Sequence, residues 1–225
     1  LQDDCAAIGI VCPSVGLLGA ELGQLCQSDS DAIAKIMITR GPASRGYAPA
    51  ANPQITRILS ASSVPEYPDS HATHGISVHV CKLRLGHQPK LAGIKHLNRL
   101  ENVLAAAELN DPAFAEGIVL DQDGHVIEGT RSNLFMVRDG KLFTPDLSKC
   151  GVAGLQRERV INYARQQRIV CKVTELTLDD LLAADEIFMV NSVIGLWPVR
   201  EMLRFICKDF PVSLQIQEWL NNGSD

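Results

Sequence analysis

The 225-residue sequence predicts an α+β fold with two domains. Helical and strand-like segments are interleaved without a regular strand–helix–strand period. Two Asp-Gly pairs, Asp123-Gly124 and Asp139-Gly140, sit between short apolar runs and read as hairpin turns. No internal repeat or low-complexity segment interrupts the pattern. With 46% hydrophobic and 21% charged residues, the chain has the composition of a globular protein with a sizeable core.

The opening "LQDDCAAIGIVCP" resembles the second half of a helix already under way, so residue 1 is expected to be an interior point of a longer natural chain. Residues 15–26 read as a helix with Leu17, Leu18, Leu22 and Leu25 on one side. Residues 31–41 read as a strand, followed by the Gly-, Pro- and Ala-rich loop "GPASRGYAPAANP". Strands are expected over 54–62 and 74–86, the second alternating Ile76, Val78 and Val80 with polar neighbours. Leu100, Leu104 and Ala107 recur at helical spacing within 97–109, and Asp111-Pro112 ends that helix. Residues 116–145 read as a meander of antiparallel strands turning at the two Asp-Gly pairs. A glycine-bearing turn opens a helix over 151–167. Residues 172–202 read as strand, short helix and two strands, and 211–222 as a closing helix. A boundary near 86–92 is expected, giving a small α/β domain over 1–88 and a larger strand-rich domain over 89–225.

A formal charge of −5 argues against a nucleic-acid or anionic-membrane partner. No apolar run is long enough to span a bilayer, which takes about 18 residues. Seven cysteines, an odd number without a C-x-x-C pair, fit free thiols in a reducing cytoplasm. The six histidines are not spaced as a ligand set with those cysteines, so no metal site is expected.

Taken singly, the polar residues are ordinary in kind. Lys95, after Ala92-Gly93-Ile94, reads as a solvated lysine at a corner. Glu128 reads as a surface carboxylate, the Gly151–Gly154 stretch as a turn into a helix, and Arg45 and Tyr47 as loop residues. Together they describe one chemistry. A lysine able to form a Schiff base, a carboxylate able to face a pyridinium nitrogen and a helix start able to hold phosphate are what pyridoxal phosphate catalysis needs. No G-x-G-x-x-G or P-loop motif competes.

Four ordered blocks make that reading specific: "LAGIKHLNRLENVLA" (91–105), "EGTRSNLFMV" (128–137), "GVAGLQRERV" (151–160) and "VNSVIGLWPV" (190–199). They resemble the signature blocks of the fold-type IV pyridoxal phosphate enzymes, the branched-chain and D-amino-acid aminotransferase class. Within it, "GIKHLNRLEN" and "NSVIGLWPV" are most similar to the aminodeoxychorismate lyases, as is "TRGPASRGYAPAANPQITRILS" (39–60). The resemblance spans roughly 38–199. It implies pyridoxal 5'-phosphate as cofactor, with Lys95 as the catalytic Schiff-base lysine and Glu128 opposite the pyridine nitrogen. Gly154, Leu155, Gln156, Asn191 and Ser192 would surround the phosphate. Arg45, Tyr47 and Arg99 would bind substrate, with Asn98, Arg131 and Asn133 in supporting places.

The same resemblance implies a pseudo-barrel larger domain and a homodimer acting on a small molecule. The family's small N-terminal sheet and its phosphate-gripping arginine would fall before Leu1, leaving the small domain incomplete. The implied reaction converts 4-amino-4-deoxychorismate to 4-aminobenzoate and pyruvate. Two alternatives are an aminotransferase for D- or branched-chain amino acids and a cofactor-free inactive paralogue. Arg99-Leu100 stands where aminotransferases of the class often carry a tyrosine, which favours the lyase.

Overall fold

In the computed structural model, which describes residues 1–26 and 31–223, two helices precede a two-stranded ribbon. They are α1 (Gln2–Ala7), α2 (Val15–Leu25), β1 (Ala32–Thr39) and β2 (Thr56–Ser63). Ser14 starts α2 by accepting the Leu17 N–H at 3.2 Å. The strands pair antiparallel from Ala32↔Ser63 to Thr39↔Thr56, and the Arg57–Glu21 ion pair at 2.8 Å ties β2 to α2. Of the four leucines expected on one side of α2, Leu18 is buried and Leu17 and Leu25 are exposed. These elements form one compact unit, Leu1–Glu66.

The second unit, Tyr67–Asp225, holds the rest. In chain order it contains α3 (Ser70–Thr73), β3 (Ile76–Leu85), α4 (Leu100–Ala106), β4 (Phe114–Asp121), β5 (Val126–Gly129), β6 (Asn133–Arg138) and β7 (Lys141–Pro145). Then follow α5 (Leu155–Gln166), β8 (Cys171–Thr174), α6 (Leu178–Leu182), β9 (Glu186–Asn191), β10 (Gly195–Met202), β11 (Phe205–Ile206) and α7 (Pro211–Asn221). The nine strands of this unit share one mixed sheet in the order β5-β4-β3-β10-β9-β6-β7-β8, with β11 on β10. The edge strand β5 returns against β6 and β7, so the sheet curls.

This topology moves the boundary. β3 is not part of a small domain over 1–88; it lies between β4 and β10, parallel to both, so the division falls at Glu66/Tyr67. The meander is also divided. β4–β5 and β6–β7 are antiparallel hairpins as expected, but β6 takes β9 as its second neighbour instead of β5. The break is local: the Gly129 N–H donates to the Ser132 carbonyl at 2.7 Å and turns the chain immediately after Glu128. At the β6–β7 turn both Asp139 and Gly140 have positive φ, the backbone that a two-residue hairpin turn of primed type needs.

The sheet is buried on both faces, because alternate residues of each strand face opposite sides. Leu134, Met136, Ile187, Met189, Trp197 and Ile118 meet inside the curl. Phe135, Val137, Phe188 and Leu196 face the other way, against Val160 and Tyr163 of α5 and Ile216 and Leu220 of α7. Phe135 and Phe188 stack there with centroids 5.1 Å apart. The buried Glu186 carboxylate accepts the Val212 and Ser213 N–H groups, fixing the start of α7.

α4 is shorter than the 97–109 helix the spacing suggested: Arg99, whose guanidinium bonds back to the Ile94 and His96 carbonyls, stands at its N-cap and Ala107 at its C-cap. Its packing is also inverted: Ala105 is buried, whereas Leu97, Leu100, Val103 and Leu104 are exposed. Among the described residues, no helix is long and apolar enough to cross a membrane.

Candidate active site

The stretch carrying Lys95 is anchored on both sides. Before it, Gly93 and Val152 form a parallel bridge: the Gly93 N–H donates to the Gly151 carbonyl at 3.0 Å and the Ala153 N–H to the Gly93 carbonyl at 2.9 Å. After it, the Arg99 guanidinium turns back and donates to the carbonyls of Ile94 and His96, the residues flanking Lys95. Lys95 itself is exposed, carried on this tied-down backbone. The guanidinium expected to bind substrate at position 99 is therefore engaged with the main chain, where it shapes the lysine's segment.

Glu128 is the last residue but one of β5 and is 2% exposed. One carboxylate oxygen accepts the Val152 N–H at 2.8 Å, and the other accepts from the Asn102 side-chain amide at 3.3 Å. Burial pushes its carboxyl above the usual carboxylate range. The Val152 and Asn102 donors and the positive charges of Arg99 and Lys95 pull it partly back. A carboxylate at the end of a hairpin thus proves to be a core group that feels the Lys95 charge. Gly151 has a φ of +87°, and a Cβ there would lie 2.7 Å from Ile127 and 2.9 Å from Leu147. Only glycine lets the turn close over Glu128.

The turn feeds α5. Gly154 is the cap residue, no side chain caps the helix, and the N–H groups of Leu155 and Gln156 open it. A helix start of this kind attracts anions through its unpaired N–H groups and its dipole. Asn133 holds the turn: its amide nitrogen donates to the Val152 carbonyl at 2.7 Å and its oxygen accepts the Gly154 N–H at 3.1 Å. Asn133→Ala leaves two main-chain groups without these partners. It is expected to destabilise the protein by about 1–3 kcal/mol, read from denaturant midpoints.

Asn133 pairs across the sheet with Val190, which brings the β9–β10 turn alongside. There Asn191 accepts the Val193 and Ile194 N–H groups at 2.8 and 2.9 Å and donates to the Arg131 carbonyl at 3.1 Å. Its amide builds the turn, while Ser192 sits exposed at the tip. Arg131 bonds the Ala115 carbonyl at 2.8 Å, and Asn98 is exposed. Arg45 and Tyr47 belong to the first unit, exposed in the loop between β1 and β2.

Two further residues of this neighbourhood are not among the candidates drawn from the sequence: Asn102, inside the 91–105 block, and Glu116. Asn102 also donates to the Thr130 carbonyl at 3.2 Å. Glu116, fully buried in β4, accepts the Thr130 N–H at 3.1 Å, the Thr130 hydroxyl and the Ser132 hydroxyl at 2.8 Å, fastening the turn after Glu128. A lone Glu in the apolar run "FAEGIVLD" is the available signal.

Chain spacing also conceals a cluster. The fold brings His87, Asp121 and Cys150 together, with donor atoms within 4.8 Å of one another, and joins Asp121 to Asp123 and His125 in a second group. Histidine spacing is thus no guide to these groupings. Hydrogen bonds account for much of them: His87 Nε2 lies 2.9 Å from Asp121 Oδ2, and Asp121 Oδ1 accepts the Asp123 and His125 N–H groups. Burial pushes the Cys150 thiol up to about 12.

Residues 17–202, most of both units, match the model of the amino-transferase class IV family. The chain belongs to this family. Among its class IV relatives, the aminodeoxychorismate lyase of Vibrio harveyi is 44% identical over 187 residues, 82% of this chain and 68% of that protein. The crystal structure of 4-amino-4-deoxychorismate lyase from Pseudomonas aeruginosa superposes with a TM-score of 0.94 at 40% identity, over 100% of this chain and 83% of that one. The branched-chain amino acid aminotransferase of Escherichia coli shares the class IV fold. Its TM-score is 0.85 at 24% identity, over 99% of this chain and 76% of that one.

Proposed function

We propose that the protein is a pyridoxal 5'-phosphate-dependent aminodeoxychorismate lyase, converting 4-amino-4-deoxychorismate to 4-aminobenzoate and pyruvate for folate synthesis. The observation that carries this reading is the pairing of Lys95, on its clamped segment, with the buried Glu128 carboxylate beside an uncapped helix start. The likeness to two lyases at 44% and 40% identity supports the reaction.

The residues fit the cofactor. Glu128, held by two donors and shielded from water, suits a protonated ring nitrogen. The Leu155 and Gln156 N–H groups suit a phosphate, with Asn133 and Gly151 setting the turn and Ser192 at the neighbouring tip. Lys95 supplies the amine for the aldehyde. When bound, pyridoxal 5'-phosphate supplies an electron sink. Lys95 then takes the proton from the amine-bearing ring carbon of the substrate. The adjacent C–O bond breaks, the enolpyruvyl group leaves as enolpyruvate and takes up that proton to become pyruvate, and the ring becomes aromatic. Arg45 and Tyr47 are the residues we assign to the substrate carboxylates.

We also assign a homodimer. Leu97, Leu100, Val103 and Leu104 present an apolar face that a second copy would cover. All seven cysteines are free, in keeping with a cytoplasmic protein.

An aminotransferase would leave its cofactor in the amine form until an oxo acid arrives. The lyase reading predicts that adding aminodeoxychorismate to the loaded protein returns the original visible spectrum without any oxo acid. A persistent pyridoxamine spectrum would overturn it in favour of the aminotransferase.

A further inference from the structure

We propose that Asn102 is a positioning residue that sets the charge and direction of the Glu128 carboxylate, and through it the grip on a cofactor's ring nitrogen. The proposal rests on the cofactor reading above.

Asn102 lies in the first turn of α4 and reaches across to the end of β5. Its amide nitrogen meets Glu128 Oε1 at 3.3 Å and the Thr130 carbonyl at 3.2 Å. The Thr130 carbonyl can only accept, so the nitrogen must face it, and both of its N–H groups are used. Burial acts against the charged form of Glu128, and the Asn102 amide is one of the groups that oppose this. Glu128 Oε2 takes the Val152 N–H, the Val152 carbonyl takes the Asn133 amide, and Asn133 takes the Gly154 N–H. Each member is hydrogen-bonded to the next, from α4 through the carboxylate to the head of α5. The line fixes the separation between a ring-nitrogen grip and a phosphate grip, and Asn102 is its end on the helix that follows Lys95.

The test measures binding to unloaded protein by calorimetry, with no turnover. One ligand is 4'-deoxypyridoxine 5'-phosphate, which keeps the ring nitrogen and phosphate but has no aldehyde. The other is its 1-deaza counterpart, with C–H in place of the nitrogen. Wild type should prefer the nitrogen ligand, and Glu128→Gln should lose that preference. Asn102→Ala should weaken the nitrogen ligand about tenfold, the loss expected for a hydrogen bond to a charged group, and leave the carbon ligand unchanged. Asn102→Asp, of almost the same volume, should weaken the nitrogen ligand more, because it sets a negative charge against Glu128.

A merely structural Asn102 predicts the reverse: equal losses for both ligands with alanine, and a milder effect with aspartate. Either pattern overturns the proposal. If Asn102→Ala does not fold, the aspartate variant carries the comparison. Equal wild-type affinity for both ligands would overturn the Glu128 grip. Failure of wild type to bind either would overturn the cofactor reading itself.

Discussion

Lys95→Ala is expected to abolish turnover, lowering pyruvate release from aminodeoxychorismate by more than about a thousandfold, since it removes both the nucleophilic amine and the proton acceptor. The fold should persist. Lys95 is exposed, and its segment is held by the Gly93–Val152 bridge and by Arg99 bonding to backbone carbonyls, none of which needs the lysine side chain. Because the Lys95 charge opposes the burial penalty on Glu128, the unloaded variant should lose some stability near neutral pH while remaining folded, read from urea midpoints. The loaded variant should also lack the visible absorption band of a lysine-linked cofactor. A variant that kept a tenth of wild-type turnover would remove Lys95 from the chemistry.

Glu128→Gln is expected to have the next largest effect, a loss of about a hundredfold in turnover, the scale seen when one buried electrostatic contact to the reacting centre is removed. It should also change how stability depends on pH, with a definite sign. Burial raises the Glu128 carboxyl in the folded protein above its unfolded value of about 4.3. A raised carboxyl binds its proton more tightly when folded, so its contribution to stability is full below about pH 4.3 and is lost as pH rises through the folded value. Glutamine has no such ionisation. The unloaded variant should gain stability relative to wild type as pH rises from about 4 towards neutrality, read from urea midpoints at each pH. Parallel profiles would show that Glu128 is not strained by its burial.

What the sequence made legible was mostly local. Asp139-Gly140 announces its turn because both residues tolerate positive φ, and the glycine-bearing turn before α5 shows in the same way. The lysine, the carboxylate and the helix start stand out because each sits in a contiguous block. Features set by distant partners are not visible. β3 looks like part of the first domain because nothing in residues 76–85 reveals that β4 and β10 flank it. Asn102 closes the "GIKHLNRLEN" block, but its role is hidden there because its partners lie 26 and 28 residues away. Arg99 looks like a ligand for substrate, but its reach of three and five residues back along the chain makes it a clamp for the lysine's segment. Periodicity places Leu100 and Leu104 on one face of α4 but does not say whether that face turns inward, and it is Ala105 that is buried. His87, Asp121 and Cys150 converge from three separate segments, which is why histidine spacing does not reveal them as a cluster.

On the proposed reading, Lys95 and Glu128 serve an elimination and not an amino-group exchange. Its most direct test is to incubate the loaded protein with 4-amino-4-deoxychorismate in the absence of any oxo acid and quantify both products over many turnovers. Pyruvate and 4-aminobenzoate should appear in equal amounts, rising together far beyond the enzyme concentration. Product formation that stops after one equivalent, or resumes only when an oxo acid is added, would contradict that reading.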